Sequence, residues 1–140
     1  MGETVFRRSG CPTCHTDPLY TSNRLTPAIG FAVPENHRAA YDVADVSVGT
    51  DPRLAMRSRK GTGYYRVPSL KGVWYRGPFE HNGSVPTLEE WFSDARLQDS
   101  FVPLGARGNG DAPRAVPGHR FGLSLTPSER EALLAFLRTL

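Results

Sequence analysis

The sequence predicts a mainly α-helical domain with long ordered loops, wrapped around an apolar group that the chain itself does not supply. Three observations carry this. The chain has 140 residues with 14 glycines and 12 prolines, a content that favours loops over ladders. Both of its cysteines fall in one Cys-Pro-Thr-Cys-His segment at 11–15. Residues 126–140 read as a capped amphipathic helix. The length suits a single domain, 1–140, able to bury an ordinary core.

The formal charge is +3 and the basic residues are scattered. No Lys/Arg block marks a nucleic-acid arm. The charge reads as a solvated basic surface, or as a docking face for an acidic redox partner. No run of 18 apolar residues is present, so no segment of this chain is expected to span a membrane. Residues 1–10 lack the apolar core of a signal peptide. Met1 is therefore either a native start or a truncation point past an export signal or an upstream domain.

Three readings compete for Cys11, Cys14 and His15. A redox CxxC opens a long helix in a βαβ pattern, and no such pattern follows. A zinc site needs two further ligands at matching spacing, yet His37, His81 and His119 form no HxxxH pair. The third reading is c-type haem attachment, for which CxxCH is the signature. Two thiols add across the two vinyl groups of the porphyrin, and two intervening residues let one helical turn span them. His15 then projects from the same turn to coordinate iron. The expected cofactor is one covalent haem c.

The elements follow in order. Residues 2–10 read as a short helix stopped by Gly10, burying Val5 and Phe6. Residues 17–51 are rich in turn residues, without a sustained period, and read as ordered loop. A short helix is expected over 54–60, ending at Gly61. Residues 64–73 contain Pro68 and Gly72 and make a poor central strand. Thr87 and Glu90 form a capping box opening a helix over 88–94 that carries Trp91 and Phe92. Residues 101–118 read as Gly/Pro-rich loop. In the last helix Thr126 is the N-cap, Pro127 takes the first position and Glu129 closes the box. Leu133, Phe136, Leu137 and Leu140 form one apolar face. Crossed terminal helices with loops enclosing a haem are the layout of a class I cytochrome c domain.

His15 is the expected proximal ligand. For the opposite face the residues leave several options open. His119 follows Pro117-Gly118, a turn able to aim a side chain rigidly. Met56 offers a thioether, the usual partner of His in small electron-transfer cytochromes. His81 reads as a structural residue bonded to a haem propionate or a carbonyl, and His37 as a surface residue. An open or water-bound site is the remaining option. Trp74, Tyr75, Phe79 and Trp91 read as haem-packing core, with an electron relay through Trp74 or Trp91 as the sharper alternative. Arg66, Lys71 and Arg76 read as surface charges, one or two of them pairing with propionates. The pairs Gly61/Gly63 and Gly108/Gly110 lack the third glycine and helix of a nucleotide loop.

Residues 65–74 (YRVPSLKGVW) and 77–90 (GPFEHNGSVPTLEE) resemble the C-terminal haem domain of the di-haem cytochrome c peroxidases. The ending, GHRFG at 118–122 and LTPSE at 125–129 before the last helix, is similar to the rubber-oxygenase-like di-haem proteins. The resemblance implies a cytochrome c-like fold, and it favours His119 as the second axial ligand. It also implies haem attachment outside the cytoplasm, and hence a periplasmic or other extracytoplasmic location. Two departures stand out. The peroxidases have two haem domains, and this chain has one CxxCH. Their Met ligand lies about fourteen residues after the histidine matched by His81, and that position here is Ala95.

The expected function is one-electron transfer at a haem with His15 and His119 as axial ligands. No catalytic residues are assigned. The partner is a redox protein or an upstream haem domain. The alternative is a catalytic haem domain, peroxidase or oxygenase, or a fragment of a larger di-haem enzyme. That reading needs an open iron site and a distal acid/base group, for which Glu80 beside His81 is the one nearby candidate. A structural or sensing haem domain is a third reading with no feature of its own in the sequence.

Overall fold

In the computed structural model of the protein, residues 1–49, 52–57, 62–80, 83–102 and 115–140 are described here, with Arg53 as backbone alone. Helix α1 (Gly2–Arg8) packs against the last helix, α5 (Pro127–Leu137). Val5 and Phe6 are buried in α1, and Leu133, Leu134 and Leu137 in α5. Each such side chain contributes about 1.5–3 kcal/mol by leaving water. Phe6 meets Phe136 with ring centroids 5.4 Å apart, and Tyr20 closes an aromatic triad at 5.9 and 6.1 Å. Gly2 lies where a Cβ would sit 2.1 Å from the Ala132 carbonyl oxygen, so the helices meet at a residue without a side chain.

The start of α5 is as the sequence predicts. The Thr126 side chain accepts from the Glu129 backbone N–H, and the Glu129 carboxylate accepts from the Thr126 backbone N–H. Leu134, outside the predicted face, is buried as well. Helix α4 (Leu88–Trp91) is shorter than predicted and is followed by a 3-10 turn, Asp94–Leu97. Thr87 accepts from the Glu90 N–H as expected. The reciprocal half of that box is not made among the described residues: Glu90 Oε2 is buried without a hydrogen-bond partner there. Leu88, Phe92 and Val73 join the α1–α5 core, and Cys11 packs against its edge.

The chain has the cytochrome c-like layout of crossed terminal helices, but it is a mixed structure rather than a mainly α one. Strand β1 (Leu25–Pro27) pairs antiparallel with β2 (Tyr64–Arg66), Thr26 opposite Tyr65. Both strands lie in segments read as loop or as a poor strand. Pro68 and Gly72 fall beyond the last paired residue, so neither interrupts the ladder. The Thr26 hydroxyl and the Val67 N–H add bonds to the Tyr65 and Arg24 carbonyls. The same early segment holds a second unpredicted element, helix α2 (Glu35–Ala40), started by Pro34 in extended conformation. Helix α3 (Arg53–Arg57) begins one residue before the helix expected over 54–60 and overlaps it, and the predicted end lies outside the described residues.

Candidate functional site

The CxxCH segment is one tight helical turn. Gly10 enters it in left-handed conformation, and Cys11–Thr13 forms a 3-10 helix. The Cys14 and His15 N–H groups both donate to the Cys11 carbonyl, at 3.2 and 2.9 Å. This wraps Cys11, Cys14 and His15 around one turn, the arrangement that haem attachment requires. Both thiols are free and half-buried. Burial pushes the Cys11 thiol up to about 11. A redox CxxC works through a thiolate of lowered pKa, so this environment opposes that reading. No three His, Cys, Asp or Glu among the described residues are grouped to hold a bare metal ion, as zinc demands.

His15 is oriented from behind. Its Nδ1 lies 3.0 Å from the Tyr20 carbonyl oxygen. A carbonyl only accepts, so Nδ1 carries the proton and Nε2 keeps its lone pair free for a metal. Tyr20 adopts a φ of 51°, which turns that carbonyl inward. Burial lowers the His15 pKa, and the neutral imidazole that results is the ligating form.

His119 faces His15. Their ring centroids are 6.4 Å apart. With metal–nitrogen bonds of about 2.0–2.1 Å, two rings at this separation would have room to hold one metal between them. The Nδ1 of His119 is buried and has no hydrogen-bond partner among the described residues. Burial first, then the nearby His15 and Arg96, pushes its imidazole down to about 4, so it too is neutral. Trp91 and Phe121 flank it at 5.2 and 5.6 Å between centroids. The residues therefore fit a haem: two thiols on one turn, and two neutral imidazoles opposed at the spacing of a shared metal.

The Pro-Gly approach works through two consecutive left-handed residues, Gly118 at φ 87° and His119 at φ 42°. The His119 N–H donates to the Val48 carbonyl at 2.6 Å. The remaining candidates lie elsewhere. Met56 sits on α3 with 43% of its surface exposed. His37, read as a surface residue, is half-buried on α2 and bonded to the Tyr64 hydroxyl at 3.0 Å. His81 lies outside the described residues. Ala95, at the place of the peroxidase Met, is exposed on the 94–97 turn.

Two expectations need correction. Trp74 and Tyr75, read as haem-packing core, are 58% and 66% exposed and stack edge-on against each other at the surface. They sit on a 3-10 turn, Val73–Tyr75, that buries only Val73. Phe79 and Trp91 do pack against the core. Arg66, Lys71 and Arg76 are exposed as predicted. Arg66 bonds Asn23, Lys71 lies over the Tyr20 ring, and Arg76 bonds the Ser69 carbonyl. The residue that sequence reasoning missed is Arg96, fully buried behind His119. In the run Asp94-Ala95-Arg96-Leu97 it reads as an ordinary surface charge, and no sequence signal marks it.

Comparison with known proteins bears on the fold. Residues 63–101 match the family described as RoxA-like, cytochrome c-like. The chain is 28% identical to cytochrome-c peroxidase IdrP1 of Denitromonas iodatirespirans, over 95% of this chain and 37% of that protein. It is 27% identical to cytochrome-c peroxidase IdrP2 of the same organism, over 99% of this chain and 38% of that protein. The chain thus spans little more than a third of the length of these relatives. Among solved structures it is similar to a MauG-like protein associated with microbial copper homeostasis. That likeness has a TM-score of 0.54 at 21% identity and covers 99% of this chain and 45% of the other. At that identity it shows the fold alone. The chain is thus similar, over residues 63–101, to the RoxA-like, cytochrome c-like family and, along nearly all its length, to part of the cytochrome-c peroxidases, and its fold is cytochrome c-like.

Proposed function

We propose that this domain carries single electrons at one haem c. In this reading Cys11 and Cys14 hold the porphyrin, and His15 and His119 are its axial ligands. The observation that carries it is the approach of two half-buried imidazoles, both with pKa values lowered by burial, to 6.4 Å between ring centroids. The group supplies a one-electron iron couple, and the protein tunes its potential through ligand identity, burial and hydrogen bonding. The chain's own residues do the rest. Tyr20 holds the His15 proton on Nδ1, and Val48 holds the His119 backbone. Trp91 and Phe121 flank the His119 ring and limit its movement. Partial burial of both imidazoles lowers their pKa values and favours the neutral, ligating form.

The second reading is a catalytic haem domain within a longer protein. The peroxidase names of the relatives and their greater length favour it. A redox partner protein or an upstream haem domain supplies the electron in either case. No helix among the described residues is long and apolar enough to cross a membrane. We place the protein in the periplasm or another extracytoplasmic compartment, where haem is attached to such motifs.

The visible and near-infrared spectrum of the oxidised holoprotein, produced with cytochrome c maturation, separates the readings. A low-spin spectrum without a thioether-to-iron band is expected. His119→Ala converts it to high spin and admits cyanide, while Met56→Ala leaves it unchanged. Loss of the low-spin form in Met56→Ala alone would reverse the ligand assignment. A native protein that is already high-spin would sink the carrier reading and leave the catalytic one.

A further inference from the structure

Arg96 is a fully buried arginine with every nitrogen of its guanidinium on a backbone carbonyl. Nε donates to Trp91 at 2.8 Å, closing the end of α4. Nη1 donates to Val116 at 2.7 Å. Nη2 donates to both Gly118 and His119, at 3.0 and 2.8 Å. The Val116 N–H returns a bond to the Arg96 carbonyl at 2.6 Å. The guanidinium plane lies over the Trp91 ring, 5.1 Å from its centroid. Glu80 acts on this charge favourably and Arg120 unfavourably.

A guanidinium is costly to bury when its donors reach neutral carbonyls rather than a carboxylate. What the chain obtains is geometric. Gly118 and His119 are both left-handed, a conformation uncommon for any residue but glycine. Two successive left-handed residues turn their carbonyls to one side, and a single Nη2 accepts the task of holding both. A lysine offers one point charge and no planar fork, so it cannot span Trp91, Val116 and residues 118–119 together. The imidazole of His119 is left facing His15.

We infer that Arg96 is a positioning residue for the second axial ligand: its buried fork locks residues 116–119 so that His119 stays turned toward His15. The inference rests on the proposed ligation by His119. The position it occupies is next to Ala95, where the peroxidase pattern has its Met. The chain that lacks that Met thus brings its ligand from a distant loop and anchors the loop at the same turn.

The test is cyanide binding by the oxidised holoprotein, because cyanide enters only when His119 leaves. Arg96→Lys and Arg96→Gln are expected to stay haem-loaded, to gain a high-spin fraction and to bind cyanide about ten-fold faster or more, as lost charge-assisted bonds imply. Leu137→Ala, in the α1–α5 core and without a hydrogen bond or ring contact to Arg96 or His119 among the described residues, is the control for general destabilisation and is expected to bind at the wild-type rate. An unchanged rate in both Arg96 variants overturns the inference. So does an equal rise in Leu137→Ala, or failure of both Arg96 variants to give folded holoprotein, which would make Arg96 a support of the whole chain. His119→Ala separates this from the ligand assignment. If it binds cyanide no faster than wild type, the assignment itself fails and the positioning role with it. If it binds faster while the Arg96 variants do not, the positioning role alone fails.

Discussion

His15 and His119 are held by different kinds of constraint. His15 is part of the CxxCH turn, and its ring is set by the Tyr20 carbonyl five residues away together with the Pro68 carbonyl. His119 depends on residues remote in sequence, Arg96 and Val48. Gly49 shows how tight that second arrangement is. It sits at φ 77°, and an added Cβ would lie 3.3 Å from the Gly118 Cα. Gly49→Ala is expected to destabilise the holoprotein by roughly 1–2 kcal/mol, from the left-handed conformation alone, before any displacement of the loop. Denaturant unfolding measures this, and a variant as stable as wild type would show that the 46–49 segment adjusts freely.

Helix α5 owes its sharp start to the capping box, and the box makes a prediction with a pH signature. Thr126→Ala is expected to cost about 1 kcal/mol. Bonds from the Thr126 backbone N–H, then from Arg8 and the Thr126 hydroxyl, hold the Glu129 carboxyl down at about 2 against an ordinary 4.5. A depressed carboxyl stabilises the fold above its unfolded value and loses that contribution as pH falls toward its folded one. The contribution of Glu129 is therefore complete above pH 4.5 and fades between 4.5 and about 2. Because the group is exposed, the effect is modest and weakens with salt. Thermal midpoints of wild type and Glu129→Gln should converge as pH falls through that window. Parallel curves would mean the carboxylate charge contributes nothing. Helix α4, by contrast, has half a box at its start and Arg96 at its end, so its length is decided by a residue outside it.

Across the whole molecule the α1–α5 pair, with Val73, Leu88 and Phe92, forms the main apolar cluster, and Cys11 sits at its margin. The helices are short of the length that stands alone in water. Among the described residues the loops between them have little regular ladder besides β1 and β2. Replacing Cys11 and Cys14 by Ala is expected to weaken cooperative unfolding greatly, followed by calorimetry or circular dichroism. A sharp, unchanged transition would show that the loops pack without a covalent haem. Gly2→Ala tests the helix crossing. The gain of a better helix former is opposed by a Cβ 2.1 Å from the Ala132 carbonyl, so a net loss of about 1–3 kcal/mol is expected. A gain in stability would show that the first turn of α1 swings away at little cost.

The parts legible in the sequence are those whose cause is local. The CxxCH turn, the Thr126–Glu129 box, the burial of Val5 and Phe6 and the Leu133/Leu137 face each follow from spacing within about one or two helical turns. His119 was marked by its Pro-Gly approach and its GHRFG setting. The sheet was not legible, because its two three-residue strands are separated by a long stretch of chain and neither alternates for long enough to be read. Trp74 and Tyr75 were misplaced because aromatic character says nothing about direction, which here is set by a turn that buries Val73 instead. Arg96 was invisible for a related reason. Its neighbours along the chain give it no apolar setting, and only the folding of residues 116–119 against the 94–97 turn takes it out of water. Local chemistry supplied the CxxCH motif and its first candidate ligand. The tertiary structure decided what stands opposite, because the distance between His15 and His119 is a property of two loops brought together across the molecule.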